Sequence, residues 1–204
     1  MQLMTDPHRP CHEESGYLTD EGHYIATMLD VNQFTGVQSV KQVFDAMQFY
    51  FMNLEITTTE LGENLTVRED LNDLDVDYSQ NPMNAMKFFQ YVDEDDEGDG
   101  PYGIMAASPV DEDELYPYSP AERFRKDISA AMKVSAFTRK KQFQPEGEAE
   151  QEEFVVVLTR WFRVQLHHSD LKYQPHVLQE VRRSVMPFTD SMIRSMNQSL
   201  YSAA

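Results

Sequence analysis

Arg160 is the residue whose setting most invites chemistry. Residues 153–166 alternate as a strand does, and one alternate set reads Phe154, Val156, Leu158, Arg160, Phe162, Val164, Leu166. The opposite set, Glu153, Val155, Val157, Thr159, Trp161, Arg163 and Gln165, is the more polar one. Successive strand side chains point to opposite faces, so a regular ladder turns Arg160 inward among apolar neighbours. A buried guanidinium needs a carboxylate or carbonyl partner, because an unpaired buried charge is costly. Such an arginine can orient a ligand's polar head or complete a purely structural ion pair. A bulge would instead turn it out to water.

Other chemically suggestive groups are weaker. Asp93, Asp95, Glu97 and Gly98 match positions one, three, five and six of a calcium loop, but Ile104 stands where the bidentate Glu belongs. A solvated acidic loop fits better. His167 and His168 are adjacent, so on a strand they face opposite sides, and nearby His176 has no carboxylate at helical metal-pair spacing. His8, Cys11 and His12 cluster near the N-terminus without four ligands. We expect no metal and no cofactor. Asn64-Leu65-Thr66 matches a glycosylation sequon, a chance match without a secretory signal. There is no Gly-rich phosphate loop, nucleophile elbow or Cys–His pairing.

Several elements must position these residues. Residues 1–22 lack an apolar period and read as a flexible arm, followed by a single domain over 23–204. Residues 23–31 alternate as a strand, with Tyr24, Ala26, Met28 and Asp30 on one face. Ser39 can N-cap a helix over 40–52, whose Val40, Val43, Phe44, Met47 and Phe51 recur at helical spacing. Residues 54–60 and 64–70 read as a strand pair around a four-residue turn. Residues 82–92 read as a short helix, with a strand as the alternative. Residues 103–110 and 127–138 read as strands, 119–122 as a helical turn, and 140–152 as a hairpin loop. The strand at 153–166 is long enough to require strong twist or a bulge. From Pro175 onward Leu178, Val181, Val185, Phe188, Met192, Met196 and Leu200 step as a helical stripe, interrupted at Pro187 by a kink or break. Hairpin-length loops between strands argue for an antiparallel sheet with one face covered by that helix.

Charge narrows the function classes. With 17 Lys+Arg against 35 Asp+Glu the net charge is −18. A surface this acidic repels phosphate backbones and anionic membranes, so direct nucleic-acid binding is excluded as an expectation. The 41% hydrophobic content is too high for a disordered chain. One cysteine rules out an internal disulfide. No apolar run is long enough to span a membrane and no signal-peptide pattern opens the chain, so an intracellular location, cytoplasmic or nuclear, is expected.

Two stretches resemble a known family. They are residues 103–118 (GIMAASPVDEDELYPY), continued by ERFRKDISA at 122–130, and FVVVLTRW at 154–161. With the helical C-terminus they are similar to a large oomycete family of START-like proteins, some described as bZIP-associated or mating-specific. The similarity runs over about residues 24–201. It implies a helix-grip fold, a curved antiparallel sheet wrapped around a long C-terminal helix with an apolar cavity between, and it implies lipid or other ligand binding. It carries over no site residues. The chain lacks a basic region with leucine heptads, so it is not itself a bZIP DNA binder. It is also short for a START domain, which implies that some first strands or helices are missing.

The resulting expectation is an α+β fold, START-like, and a non-enzymatic module that binds an apolar or lipid-like ligand between sheet and C-terminal helix. Phe154, Leu158, Phe162, Val181, Val185, Phe188 and Met192 would wall the site, and Arg160 would orient a carboxylate or phosphate head. The alternative is an interaction or regulatory domain with a filled core. Its acidic edge, Asp93 to Asp99 and Asp111 to Glu114, would meet a basic protein partner. A helix-grip enzyme is the third class, and fold alone does not imply chemistry.

Overall fold

The computed structural model describes residues 6, 8–60, 85–93, 100–109, 119–121, 125–141, 151–170 and 188–202; at 53–60, 85–86 and 188–189 only the backbone is described. Six strands and two helices follow in the order β1 (Cys11–Leu18), β2 (Tyr24–Thr35), α1 (Val40–Glu60), β3 (Ala85–Val92), β4 (Tyr102–Pro109), β5 (Lys126–Lys140), β6 (Glu152–Leu166) and α2 (Phe188–Tyr201). The strands form one sheet of order β1-β2-β6-β5-β4-β3, antiparallel at every pairing. The fold is α+β, as the alternation and loop lengths predict.

The expected faces are the observed ones. Val156, Leu158, Phe162 and Val164 of β6 join Ala26, Met28 and Phe34 of β2 and Ala130, Met132 and Val134 of β5 in the main core, under the helices. Val40, Val43, Phe44, Met47 and Phe51 supply the α1 side, and Met192 and Met196 the α2 side. Burying one such side chain contributes about 1.5–3 kcal/mol. A smaller cluster of Val31, Val155 and Val157, with Cys11 and Phe137 packed on it, lies on the other sheet face. Ser39 caps α1 by accepting the Gln42 N–H at 3.2 Å, and Gly36, at φ 72°, provides the left-handed residue that turns β2 toward the helix.

Several expectations need correction. Cys11–Leu18, read as part of a flexible arm, is a strand paired with β2 along its whole length. Its side chains are mostly exposed, so it has little apolar period to betray it; backbone pairing to β2 makes it a strand. Residues 54–60, read as a strand, continue α1. Once a capped helix is under way each further residue adds a hydrogen bond, and the β-branched residues there cost only tenths of a kcal/mol each. Ala85–Val92 is strand β3, not a helix, paired residue for residue with β4. The long β6 needs no bulge, because its register with both β2 and β5 is continuous. The described C-terminal helix has 14 residues and starts directly after Pro187, about 21 Å of helix against the longer rod expected. Residues 61–84, 94–99, 110–118 and 171–187 include the second half of the expected hairpin, most of both acidic runs, Val181 and Val185; these lie outside the described residues. Among the described residues no helix is long and apolar enough to cross a membrane.

Candidate functional site

Register places three charged side chains in one row. His12 of β1 pairs with Asp30 of β2, and Asp30 pairs with Arg160 of β6. The row continues through Met132, Met105 and Phe89 across β5, β4 and β3, so the polar trio ends an otherwise apolar line. All three face the helices. Arg160 is 1% exposed and Asp30 5%. Arg160 Nη2 donates to Asp30 Oδ2, and His12 Nδ1 lies 2.7 Å from Asp30 Oδ1. Both oxygens of the carboxylate are therefore engaged. The guanidinium also lies 5.9 Å from the Phe162 ring centroid. Burial pushes the Arg160 pKa down, and the charge and hydrogen bond of Asp30 pull the other way. Arginine keeps its proton throughout.

Helix α2 closes this region from above. Its first turn is tied to α1 by a 2.9 Å hydrogen bond between Tyr50 Oη and Ser191 Oγ. Its last turn is tied to the end of β2, where the Tyr201 hydroxyl donates to the Thr35 carbonyl at 2.9 Å. The helix thus runs alongside β2 and leaves a groove on its β1 side. That groove measures about 660 Å³. Pro10, Cys11 and His12 form one wall, Asp30, Val31, Asn32 and Arg160 the floor, and Asp190, Ile193 and Arg194 the other wall.

Among the groove's lining residues Cys11 carries the one thiol, and it packs on Val31, Val155 and Val157 at the other sheet face. Burial, then the Glu13 and Asp30 carboxylates, push the Cys11 thiol up from its ordinary value, against a backbone hydrogen bond with Val31. A raised pKa keeps the thiol protonated, the opposite of what a nucleophile needs. No serine, threonine or cysteine is hydrogen-bonded to His12 among the described residues. Nor do the described residues arrange three or more His, Cys, Asp or Glu to hold a metal ion.

The expected site residues separate. Leu158, Phe162 and Met192 are buried together in the main core. Arg160 is inward but already paired. Phe154, near the start of β6, is 40% exposed and does not line the groove. Phe188 is the first residue of α2, and Val181 and Val185 lie outside the described residues. Asp30, His12, Asn32, Asp190 and Arg194 were not anticipated. Asp30 had a signal: it is a lone acid on the apolar face of one core strand, as Arg160 is a lone base on another. Asn32 follows Asp30 on that same face, between Asp30 and Phe34, and had the same signal. His12, Asp190 and Arg194 stand in polar surroundings and carried none.

A second polar cluster lies where β2 and β5 begin and β6 ends. Asp127 accepts from Arg125 Nε at 2.8 Å and sits 2.7 Å from His167 Nε2. The His167 ring meets that of His23 edge-on at 5.2 Å, and His23 Nδ1 accepts the His168 N–H at 2.9 Å. Burial raises the Asp127 pKa, but the hydrogen bonds and charges of His167 and Arg125 outweigh it and hold the carboxyl below its ordinary value. This cluster fastens the ends of β2, β5 and β6 together.

No protein-family profile and no curated protein matches the chain.

Proposed function

We propose that the chain is a non-enzymatic, START-like binding module that holds a small amphipathic molecule between its sheet and its C-terminal helix. One observation carries this reading: the groove of about 660 Å³ lies between β1–β2 and α2, within the 300–1,000 Å³ typical of small-molecule sites. Pro10 and Ile193 offer apolar surface beside the polar groups. The site differs from a deep lipid cavity. Leu158, Phe162, Met192 and Met196 fill the space under the helices, so an apolar part of the ligand would lie against the groove wall. Arg160, tied to Asp30, shapes the floor rather than holding a ligand's acid head. The same proposal puts the protein inside the cell, in keeping with its single cysteine.

A second reading, a protein-interaction domain, is favoured by Phe49 and Met52. They lie three residues apart on α1 and are 63% and 54% exposed. Side chains at that spacing are neighbours on a helix surface and would present an apolar patch to a partner.

Native mass spectrometry of protein purified from its source separates the two. A retained small-molecule mass, with thermal stabilisation by members of a panel of fatty acids, phospholipids, sterols and small polar amphiphiles, supports the binding module. No retained mass and no stabilisation across the panel contradicts it.

A further inference from the structure

We propose that the open face of the sheet docks an acidic amphipathic helix of a partner protein, laid between Trp161 and Phe88. This surface is separate from the groove and does not rest on a ligand there.

An antiparallel sheet with one face on its core ordinarily turns polar side chains to water on the other. Both described helices pack on the face that buries Phe162, Met132, Met105 and Phe89. Alternation therefore sends Trp161, Ala131, Ala106 and Phe88 to the opposite face. Register joins these four into one row across β6, β5, β4 and β3. Phe88 is 54% exposed, and Ala106 beside it is exposed too. The same face is closed nearer β2, where Val31, Val155 and Val157 are buried and the His8 ring lies 4.2 Å from that of Phe137.

The open row has the shape of a trough. Two alanines form its floor, and an aromatic side chain stands on either side. Three strand spacings separate β6 from β3, about 14 Å. An α-helix, about 10–12 Å across with its side chains, fits between the two rings and parallel to the strands. A single extended strand would fill only about a third of that width.

Charge selects the kind of helix. The chain carries −18 overall, yet this part of the sheet is basic. Arg163 follows Trp161 on the same face of β6, and Lys133 follows Ala131 on that of β5, so the antiparallel register sets them on opposite sides of the row. Neither meets a carboxylate among the described residues. Arg163 donates to Gln165 Oε1 at 3.0 Å, and the Lys133 ammonium lies 5.5 Å from the Tyr102 ring centroid. The acids that share this face of β5 and β6, Asp127 and Glu153, are held by Arg125, His167 and Arg139. Lys133 pairs with Thr159, four residues from Arg163, so the two cations are about 13 Å apart along the strands. That length is about nine residues of helix. A helix with carboxylates at that spacing, and an apolar stripe between them, meets both cations and both rings.

The test is a titration of the full chain with an alanine-based helical peptide of about 18 residues, carrying a leucine stripe flanked by glutamates. Trp161 is the single tryptophan, so its fluorescence and indole N–H resonance report on this face. The peptide should shift both saturably and leave the groove resonances of Cys11 and His12 unmoved. A lysine-for-glutamate version should leave Trp161 unmoved, although the net charge of −18 draws it to the chain elsewhere. A serine-for-leucine version should bind about tenfold more weakly or not at all. Phe88→Ser should weaken the acidic peptide about fivefold or more. Lys133→Gln and Arg163→Gln should each weaken it about two- to fivefold. Circular dichroism checks that the variants fold. No saturable Trp161 shift at about 1 mM peptide overturns the proposal. Equal binding of the lysine version at Trp161, or indifference to all three substitutions, does the same. So does a dimer of the chain alone that Phe88→Ser dissolves in sedimentation, which assigns the face to a second copy.

Discussion

Replacing Asp30 by Leu tests the buried ion pair. Arg160 is 1% exposed and its Asp30 partner 5%, so the substitution leaves a guanidinium among Met132, Phe162 and the underside of the helices with its carboxylate gone. Breaking a buried pair in this way costs about 3–5 kcal/mol. With a urea dependence of about 2 kcal/mol/M, the unfolding midpoint should fall by about 1.5–2.5 M. Arg160→Leu should cost less, because Asp30 keeps the contact with His12 Nδ1 at 2.7 Å. The double variant Asp30→Leu/Arg160→Met should recover most of the loss, since exchanging a whole buried pair for apolar side chains is often close to neutral. Urea unfolding followed by circular dichroism gives all three midpoints. An Asp30→Leu midpoint within error of the parent, or a double variant no more stable than Asp30→Leu, would refute the view that Asp30 is the buried carboxylate partner of Arg160.

Three further outcomes are expected. Gly103→Ala should destabilise by about 1–3 kcal/mol in thermal unfolding, because the new methyl would stand 2.8 Å from Phe44 Cε2, in a ring that is 4% exposed and hemmed in by the core; an unchanged midpoint would mean that Phe44 moves freely. Tyr50→Phe removes the α1–α2 hydrogen bond to Ser191 and should cost about 1 kcal/mol, read by denaturant unfolding, and no change would place that contact in solvent. Asp127 has a depressed pKa in the folded protein, so its stabilisation is present above its ordinary value of 3.8 and is lost as pH falls through the lower folded value. His167→Asn should therefore move the acid-unfolding midpoint to higher pH, and an unmoved midpoint contradicts the assigned role of the His167–Asp127 contact.

The parts of the fold visible in the sequence are those where periodicity reports burial. β6, β5, β2 and the first half of α1 each show one apolar face, and the core uses those faces. Periodicity is silent where burial is not what decides. β1 is an exposed edge held by backbone pairing, so its side chains could not announce it. β3 has Met86, Phe89 and Gln90 at spacings that a helix also permits, and only its pairing with β4 settles the matter. The end of α1 is rich in Ile and Thr, yet it continues a helix already nucleated upstream. For the candidate site, the inward turn of Arg160 followed from alternation alone. Its partner lies 130 residues away in sequence, and nothing local linked the two. The groove depends on how α2 sits over β2, through Tyr201 and Thr35, a tertiary contact with no local signature.

Where a ligand goes is settled most directly by mapping NMR shifts from methionine methyls and backbone amides as amphipathic probes are added. Met28, Met47, Met105, Met132, Met192 and Met196 are all fully buried and report on the interior under the helices. Cys11, His12, Asp30 to Asn32 and Asp190 to Arg194 report on the groove. A ligand held between β1–β2 and α2 perturbs the groove set and leaves Met105, two strands beyond Arg160, unmoved. Shifts centred on Met105, or saturable binding that leaves the groove set untouched, would contradict it.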